Sequence, residues 1–214
     1  MFKFDGWMMP DGETHLPDNM TKTNRVIRGR LSYQYSKYEA AKKYVKQWRT
    51  AVDVGAHVGL WAYHMGWDFA NLHCIEPMPE HIECLKENLY QQSYKLHPYA
   101  VGAEFGSVSL AAHAGESSGD MQVVGLGNIK MVTVDSLGIS DVDFMKIDCE
   151  GYELNVLTGA IETVAKYKPC IIVEQKRDMA VKYDGGKLGA VKFLQSMGAV
   201  LREEISGDYI LSWD

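Results

Sequence analysis

The feature that most constrains this chain is a change of hydrophobic period that repeats from residue 51 onward. AVDV (51–54) has the width of a buried strand, and HVGLWAYHMGWDF after it puts Val58, Trp61, Ala62 and Met65 on one face of a helix. NLHCIE (71–76) reads as a second strand. PEHIECLKENLYQQ (79–92) reads as a helix, with Ile82, Leu85 and Leu89 at helical spacing and Pro79 suited to its first turn. YKLHPYAV is a third strand. Strands that alternate with helices are joined by crossovers, and these build a parallel sheet with helices on both faces.

The rhythm breaks in the middle of the chain. Short strands at 107–113, 121–125 and 129–134 surround the Gly/Ser-rich stretch GESSGD, giving an inserted hairpin region of about 107–134. Alternation then resumes with the strand VDFMKID (142–148), a helix over 152–167 ended by Pro169, and the strand CIIVEQ (170–175). That last run is apolar enough to demand a central place in a sheet. A helix around 188–197 and two closing strands complete a single sheet domain over 51–214, preceded by an extension, 1–50, with an amphipathic helix at 36–48. Residues 1–35 show no clear period. The aromatic and Met residues of this region (Trp7, Met8, Met9, Tyr33, Tyr35, Tyr38) offer a lid over a substrate, or packing in the core or in a homo-oligomer.

Composition narrows the partners. With 22 Lys+Arg against 28 Asp+Glu, a net charge of −6 and no basic cluster, the chain lacks the face that a nucleic acid needs. No apolar run approaches the roughly 20 residues that cross a bilayer, so no membrane partner is expected. The start, MFKFDGWMMPDGE, has no signal-peptide pattern. Cys74, Cys84, Cys149 and Cys170 form no CxxC pair and no dense disulfide framework, which fits a reduced, cytoplasmic protein.

Chemistry concentrates where strands end. In VDVGAHVG (52–59) a strand turns into a helix through Gly55 and Gly59, the place where open parallel sheets bind ligands. Gly55 can take a conformation closed to other residues, Gly59 lets the helix approach the sheet, and the helix N-terminus offers free N–H groups to an anionic group. Asp53 stands where the dinucleotide fingerprint has its first glycine, so the turn is poorly suited to a pyrophosphate. Glu76 ends the next strand, about twenty residues on, where an acid receives ribose hydroxyls in adenosine-binding folds. It is also placed to cap the helix near Pro79. Turn and acid together point to an adenosine-containing ligand. Further on, Asp148 and Glu150 follow one apolar strand and Glu174 ends the next, on the same edge of the sheet. Carboxylates gathered in this way need a cation, a proton or a donor-rich ligand.

These blocks, VDVGAHVG, CIEPMPEHIECLKEN, VTVDSLGISDVDFMKIDCEGYELNVLTGA and PCIIVEQ, resemble in order and spacing the FkbM family of S-adenosylmethionine-dependent methyltransferases. The similarity runs from about 51 to 175, with KIDCEGYE its most specific part. Cys149 replaces the apolar residue usual before the Glu. The resemblance implies a Rossmann-like class I methyltransferase fold, an α/β architecture with a seven-stranded, mostly parallel sheet whose last strand is antiparallel. It implies O-methylation as the commonest activity, with S-adenosyl-L-methionine converted to S-adenosyl-L-homocysteine. Carried over, Asp53, Gly55, Ala56 and Gly59 line the methionine end, Glu76 holds the ribose, and Pro77 and Met78 flank the adenosine. Asp148 and Glu150 then sit beside the transferring methyl, and His57 can face the ligand.

An alcohol acceptor must lose a proton, and Asp148, Glu150, Glu174 and His57 are the candidate bases. Alternatively, Asp148, Glu150 and Glu174 hold a divalent metal that acidifies the hydroxyl. The acceptor expected is a small molecule, such as a sugar or a secondary metabolite. Two other classes compete. A non-catalytic adenosine-binding module would keep Gly55 and Glu76 without needing the later acids. A sugar-nucleotide glycosyltransferase would use the D-x-D of Asp141 and Asp143, although Asp143 starts its strand at the opposite end from Asp148. A zinc site from His73, Cys74, His81 and Cys84 is disfavoured, because neighbours on a strand point to opposite faces.

Overall fold

A computed structural model describes residues 1–112, 118–119, 121–176, 179–183 and 186–214. Residues 1–35, without a readable period, form regular elements. Strands β1 (Phe2–Phe4) and β2 (Trp7–Met9) make a hairpin, α1 spans His15–Thr23, and β3 (Val26–Ile27) pairs with β4 (Arg30–Leu31). Period fails here because the strands are two or three residues long. Helix α2 covers Tyr35–Lys42, shorter than the 36–48 expected. Beyond it the N–H groups of Lys43, Tyr44 and Val45 bond three residues back, which tightens the last turn and releases the chain toward the sheet.

The sheet domain follows in alternation: β5 (Thr50–Val54), α3 (Leu60–Asp68), β6 (Asn71–Ile75), α4 (Pro79–Asn88) and β7 (Lys95–His97). The expected third strand divides after β7, because β8 (Ala100–Val101) leaves for a second sheet with β9 (Gly106–Ala112) and β10 (Met121–Val132). The two short strands read at 121–125 and 129–134 are thus one strand, irregular in register around Gly125. Of GESSGD, residues 115–117 and 120 lie outside the described residues, as does His113.

The second half holds β11 (Val142–Ile147), α5 (Glu153–Thr158), α6 (Ile161–Tyr167), β12 (Cys170–Glu174), α7 (Gly189–Ser196), β13 (Val200–Ile205) and β14 (Asp208–Ser212). The single helix expected over 152–167 is broken between α5 and α6. A side chain at Gly159 would meet the Gly102 carbonyl at 2.0 Å, and Asp135 caps α6 by accepting from the N–H groups of Glu162 and Thr163 at 3.0 and 2.9 Å. A cap supplied from elsewhere in the chain leaves no local signal.

The main sheet has seven strands in the order β13-β14-β12-β11-β5-β6-β7. It is parallel except for β14, which runs antiparallel to both of its neighbours. Every residue of β5 and β11 is buried, as a strand covered on both faces requires. Val52, Met145 and Ile171 face a core closed by α5, α6 and α7. Ala51, Phe144 and Ile172 face the other core, built by α2, α3, α4 and the N-terminal segment. Trp7, Met9 and Tyr38 belong to that second core, with at most 1% of their surface exposed. No helix among the described residues is long and apolar enough to cross a membrane.

Candidate active site

The carboxyl ends of β5, β6, β11 and β12 meet on one edge of the sheet. After Val54 the chain turns through Gly55 (φ +75°), His57 (φ +50°) and Gly59 (φ +85°) into α3. Gly55 is required by contact as well as by φ, since a Cβ there would lie 2.0 Å from the Asp148 carbonyl oxygen. The two turns that carry the candidate residues are therefore in direct backbone contact. Gly59 has a different role from the one expected. A Cβ there would press on Leu85 at 3.3 Å and Leu89 at 3.4 Å, so it admits α4 rather than the sheet.

Glu76 follows β6 and buttresses the turn. Its Oε2 accepts the His57 N–H at 2.8 Å, while Oε1 accepts from the Met78 N–H at 2.9 Å and from His81 Nδ1 at 3.2 Å. Burial raises its pKa, but the His81 hydrogen bond and the nearby imidazoles outweigh burial and hold the carboxyl below its ordinary range. Glu76 thus caps the approach to α4 and also faces a small cavity of about 80 Å³ with Pro77, Met78, Tyr99, Val101 and Tyr152.

A second cavity, of about 700 Å³, opens beside it and shares Gly55, His57, Asp148 and Glu150. Its floor carries a row of alternating charge that the sequence did not announce. Lys146 on β11 is paired in register with Asp53 on β5, and its ammonium lies 3.5 Å from Asp53 Oδ1 and 3.4 Å from Asp148 Oδ2. It also donates to the Gly55 carbonyl at 3.2 Å. Lys176 pairs with Glu174 and stands 3.3 Å from Asp208, which in turn bonds Lys37.

These neighbours divide the acids. Burial raises the Asp148 pKa, but Lys146 and Lys176 outweigh it and keep the carboxyl ionised below its ordinary range. Burial and the Asp148 charge push Glu174 up to about 8, so of these two acids it is the one that takes up a proton first. Asp53 is fully buried below the cavity wall, and burial raises it to about 6 in spite of Lys146. Ligand atoms of Asp148, Glu150 and Glu174 lie within 4.8 Å of one another, the one such metal-compatible group among the described residues. Oxygen donors of this kind suit a hard divalent ion, and the flanking lysines already bring positive charge to the same edge.

Glu150 takes a left-handed backbone, φ +50°, followed by Gly151 at +101°. Glu153 supports this turn by accepting from the N–H groups of Cys149 and Gly151 at 3.1 and 2.8 Å. A side chain at Gly151 would meet the Met179 backbone at 2.6 Å.

The N-terminal segment and the insert reach the larger cavity together. Ser118 donates through its N–H at 2.9 Å and through its hydroxyl to Glu13 Oε2, and its Oγ lies 3.0 Å from His57 Nε2. A serine hydroxyl has one proton, so with that proton on Glu13 it accepts from His57, which fixes Nε2 as the protonated nitrogen. Burial and His81 push the His57 imidazole down to about 4, leaving it neutral. Tyr33 lines the same cavity. Burial, then the charges of Asp148 and Glu174, raise its phenol above the ordinary value.

Other candidates are brought together elsewhere. Asp141 and Asp143 both bind Arg49 at the amino end of β11, with Arg49 Nη2 at 2.6 Å from Asp143 Oδ1, away from either cavity. This engagement removes the D-x-D as a sugar-nucleotide site. His73 pairs with His97 at 2.9 Å rather than with His81, and all four cysteines are free.

A family model described as the methyltransferase FkbM domain matches residues 53–198. The chain belongs to this family. Among solved structures, the FkbM methyltransferase from Methylobacillus flagellatus KT is similar at a TM-score of 0.52 and 18% identity, over 78% of this chain and 43% of that one. The present chain thus spans less than half of that protein. A precorrin-6y C5,15-methyltransferase from Geobacter metallireducens GS-15 is similar over 89% of this chain and 93% of its own, with a TM-score of 0.51 and 15% identity. At these identities the likeness is one of fold: the class I methyltransferase sheet. No curated protein matches.

Proposed function

We propose that this FkbM-family protein is an S-adenosylmethionine-dependent methyltransferase that methylates a hydroxyl of a polar small molecule, such as a sugar or another polyol. The observation that carries the proposal is the pair of adjoining cavities, which share the wall of Gly55, His57, Asp148 and Glu150. The smaller has a partly apolar wall and Glu76, as an adenosine needs. The larger is lined by acids and lysines, as a hydroxylated acceptor needs. Bound there, the cofactor supplies an electrophilic methyl group on a sulfonium, and the acidic edge suits that positive charge.

The residues of the chain divide the remaining work. Gly55 lets the two turns close on each other, and Glu76 accepts a hydrogen bond from the ribose. Methyl transfer is a displacement at carbon, so holding the acceptor oxygen in line is the main contribution. Asp148, kept ionised by Lys146, accepts the hydroxyl proton at Oδ. Glu174, the more readily protonated of the two acids and paired with Lys176, limits the negative charge beside Asp148. Glu150 orients the acceptor from its constrained turn, and the neutral His57 contributes to the wall. A divalent ion on Asp148, Glu150 and Glu174 is the second chemistry that the oxygen set supports.

Labelled cofactor and pools of hydroxylated acceptors test the proposal. The wild-type protein should label a polyol-type acceptor, and the Asp148→Asn, Glu150→Gln double variant should lose transfer while still binding cofactor. Full turnover by that variant would remove both residues from the chemistry. Loss on chelation, restored by added Mg²⁺, would select the metal form of the mechanism.

A further inference from the structure

The carboxylate of Glu76 has about four lone-pair positions, and three are already filled from within the chain. Oε2 accepts from the His57 N–H at 2.8 Å, and Oε1 accepts from the Met78 N–H at 2.9 Å and His81 Nδ1 at 3.2 Å. A ribose diol offers two O–H donors. One can go to the remaining position on Oε2. The other has no place on this carboxylate unless an existing bond is broken.

His81 stands where the second hydroxyl needs a partner. It lies in the first turn of α4 and lines the same small cavity as Glu76, Met78 and Tyr99. Its side chain is 2% exposed, and its Nε2 is buried with no hydrogen-bond partner among the described residues. An ionised carboxylate only accepts, so the Nδ1 facing Glu76 carries a proton, and in the imidazole tautomer this selects the lone pair lies at Nε2. The ring is held on two sides, by Glu76 and by the edge-to-face ring of His57 at 4.2 Å between centroids. A buried ring nitrogen without a partner is costly, and here it lines the cavity that holds Glu76.

We infer that His81 is a second ribose-recognising residue. Nδ1–H fixes the Glu76 carboxylate, and Nε2 accepts the ribose hydroxyl that Glu76 cannot take. The inference rests on the adenosyl-cofactor proposal above and adds a residue and a division of labour to it. The two hydroxyls are read by different side chains, so the 2′- and 3′-deoxy forms of the cofactor product are penalised through different residues.

Calorimetric titration with S-adenosylhomocysteine and with its 2′-deoxy and 3′-deoxy analogues tests this. His81→Asn is the informative variant, because its amide nitrogen can replace Nδ1 against Glu76 while the distal nitrogen is lost. The variant should bind S-adenosylhomocysteine about fivefold to tenfold more weakly than wild type, the size of one ordinary hydrogen bond. One of the two deoxy analogues should then bind variant and wild type equally. Unchanged affinity for S-adenosylhomocysteine, or full penalties for both analogues in the variant, would overturn the role of His81 and leave the cofactor proposal standing. Wild-type protein that bound none of the three ligands would overturn both. If His81→Asn fails to fold, the wild-type protein decides by ¹⁵N NMR. The Nε2 resonance of His81 should shift on saturation with S-adenosylhomocysteine, and an unmoved resonance would refute the contact.

Discussion

Replacing Lys146 by Met removes the ammonium that holds the site's floor together while keeping a long apolar stem. In the native protein this ammonium lies 3.5 Å from Asp53 and 3.4 Å from Asp148, and its residue is only 6% exposed. At an effective dielectric near 20, each contact is worth about 5 kcal/mol of gross attraction, most of it offset by the cost of burying the charges. The net loss can be worked from the response of Asp53. Left unpaired in the core, Asp53 must take up a proton, and its native pKa is about 6. At pH 7.5 that uptake costs about 2 kcal/mol, at 1.36 kcal/mol per unit, and at pH 5.5 almost nothing. The lost charge-assisted bonds to Asp148 and Gly55 add about 1.5–3 kcal/mol at either pH. Urea unfolding followed by Trp fluorescence should therefore show Lys146→Met destabilised by about 4 kcal/mol at pH 7.5 and about 2 kcal/mol less than that at pH 5.5. Adding Asp53→Asn should abolish the pH-dependent part. A loss below about 1 kcal/mol, or one equal at both pH values, would refute the pairing.

Two further outcomes follow from the same floor. Gly55→Ala places a Cβ 2.0 Å from the Asp148 carbonyl at a φ of +75°, so it should destabilise the fold by about 3 kcal/mol and abolish S-adenosylhomocysteine binding, both readable by thermal shift. Burial raises Glu174 to about 8 and Glu153 to about 7, so the folded state holds protons that the unfolded chain has released, and stability should rise as pH falls from about 8.5 to 6.5. Below that, burial has depressed His57 to about 4 and His97 to about 4, so the unfolded chain takes protons that the folded one refuses and the rise should stop. Urea midpoints across this range check the shape, and stability that climbs steadily toward pH 8.5 would contradict it.

The parallel sheet was legible because buried strands and amphipathic helices leave different periods over five or more residues. The turn at Gly55, the acid at Glu76 and the acids after β11 and β12 were legible for a related reason: an open sheet gathers its strand ends on one edge. What escaped had no local trace. The Asp135 cap that splits the helix is set 27 residues before the N–H it accepts from at Glu162, and Glu13 meets Ser118 across 105 residues. Short N-terminal strands have no period to show, although burial of Trp7 and Met9 fits their apolar character. Lys146 left one usable signal, a cation among the apolar residues that follow Asp143 in its strand. Such a residue needs a buried partner, and Asp53 on the neighbouring strand supplies it. Asp53 left the complementary signal, a carboxylate in the neighbouring buried strand, where it lies 3.5 Å from the Lys146 ammonium.

The measurement that tests the central claim most directly is the binding of S-adenosylhomocysteine to the wild-type protein and to Glu76→Gln, alongside NAD and UDP-glucose. S-adenosylhomocysteine alone should bind and raise the melting temperature, and Glu76→Gln should weaken it by about tenfold or more, since a charge-assisted hydrogen bond to the ribose is lost. Equal binding of NAD, or no stabilisation by S-adenosylhomocysteine at saturating concentration, would contradict an adenosyl-cofactor site at this edge of the sheet.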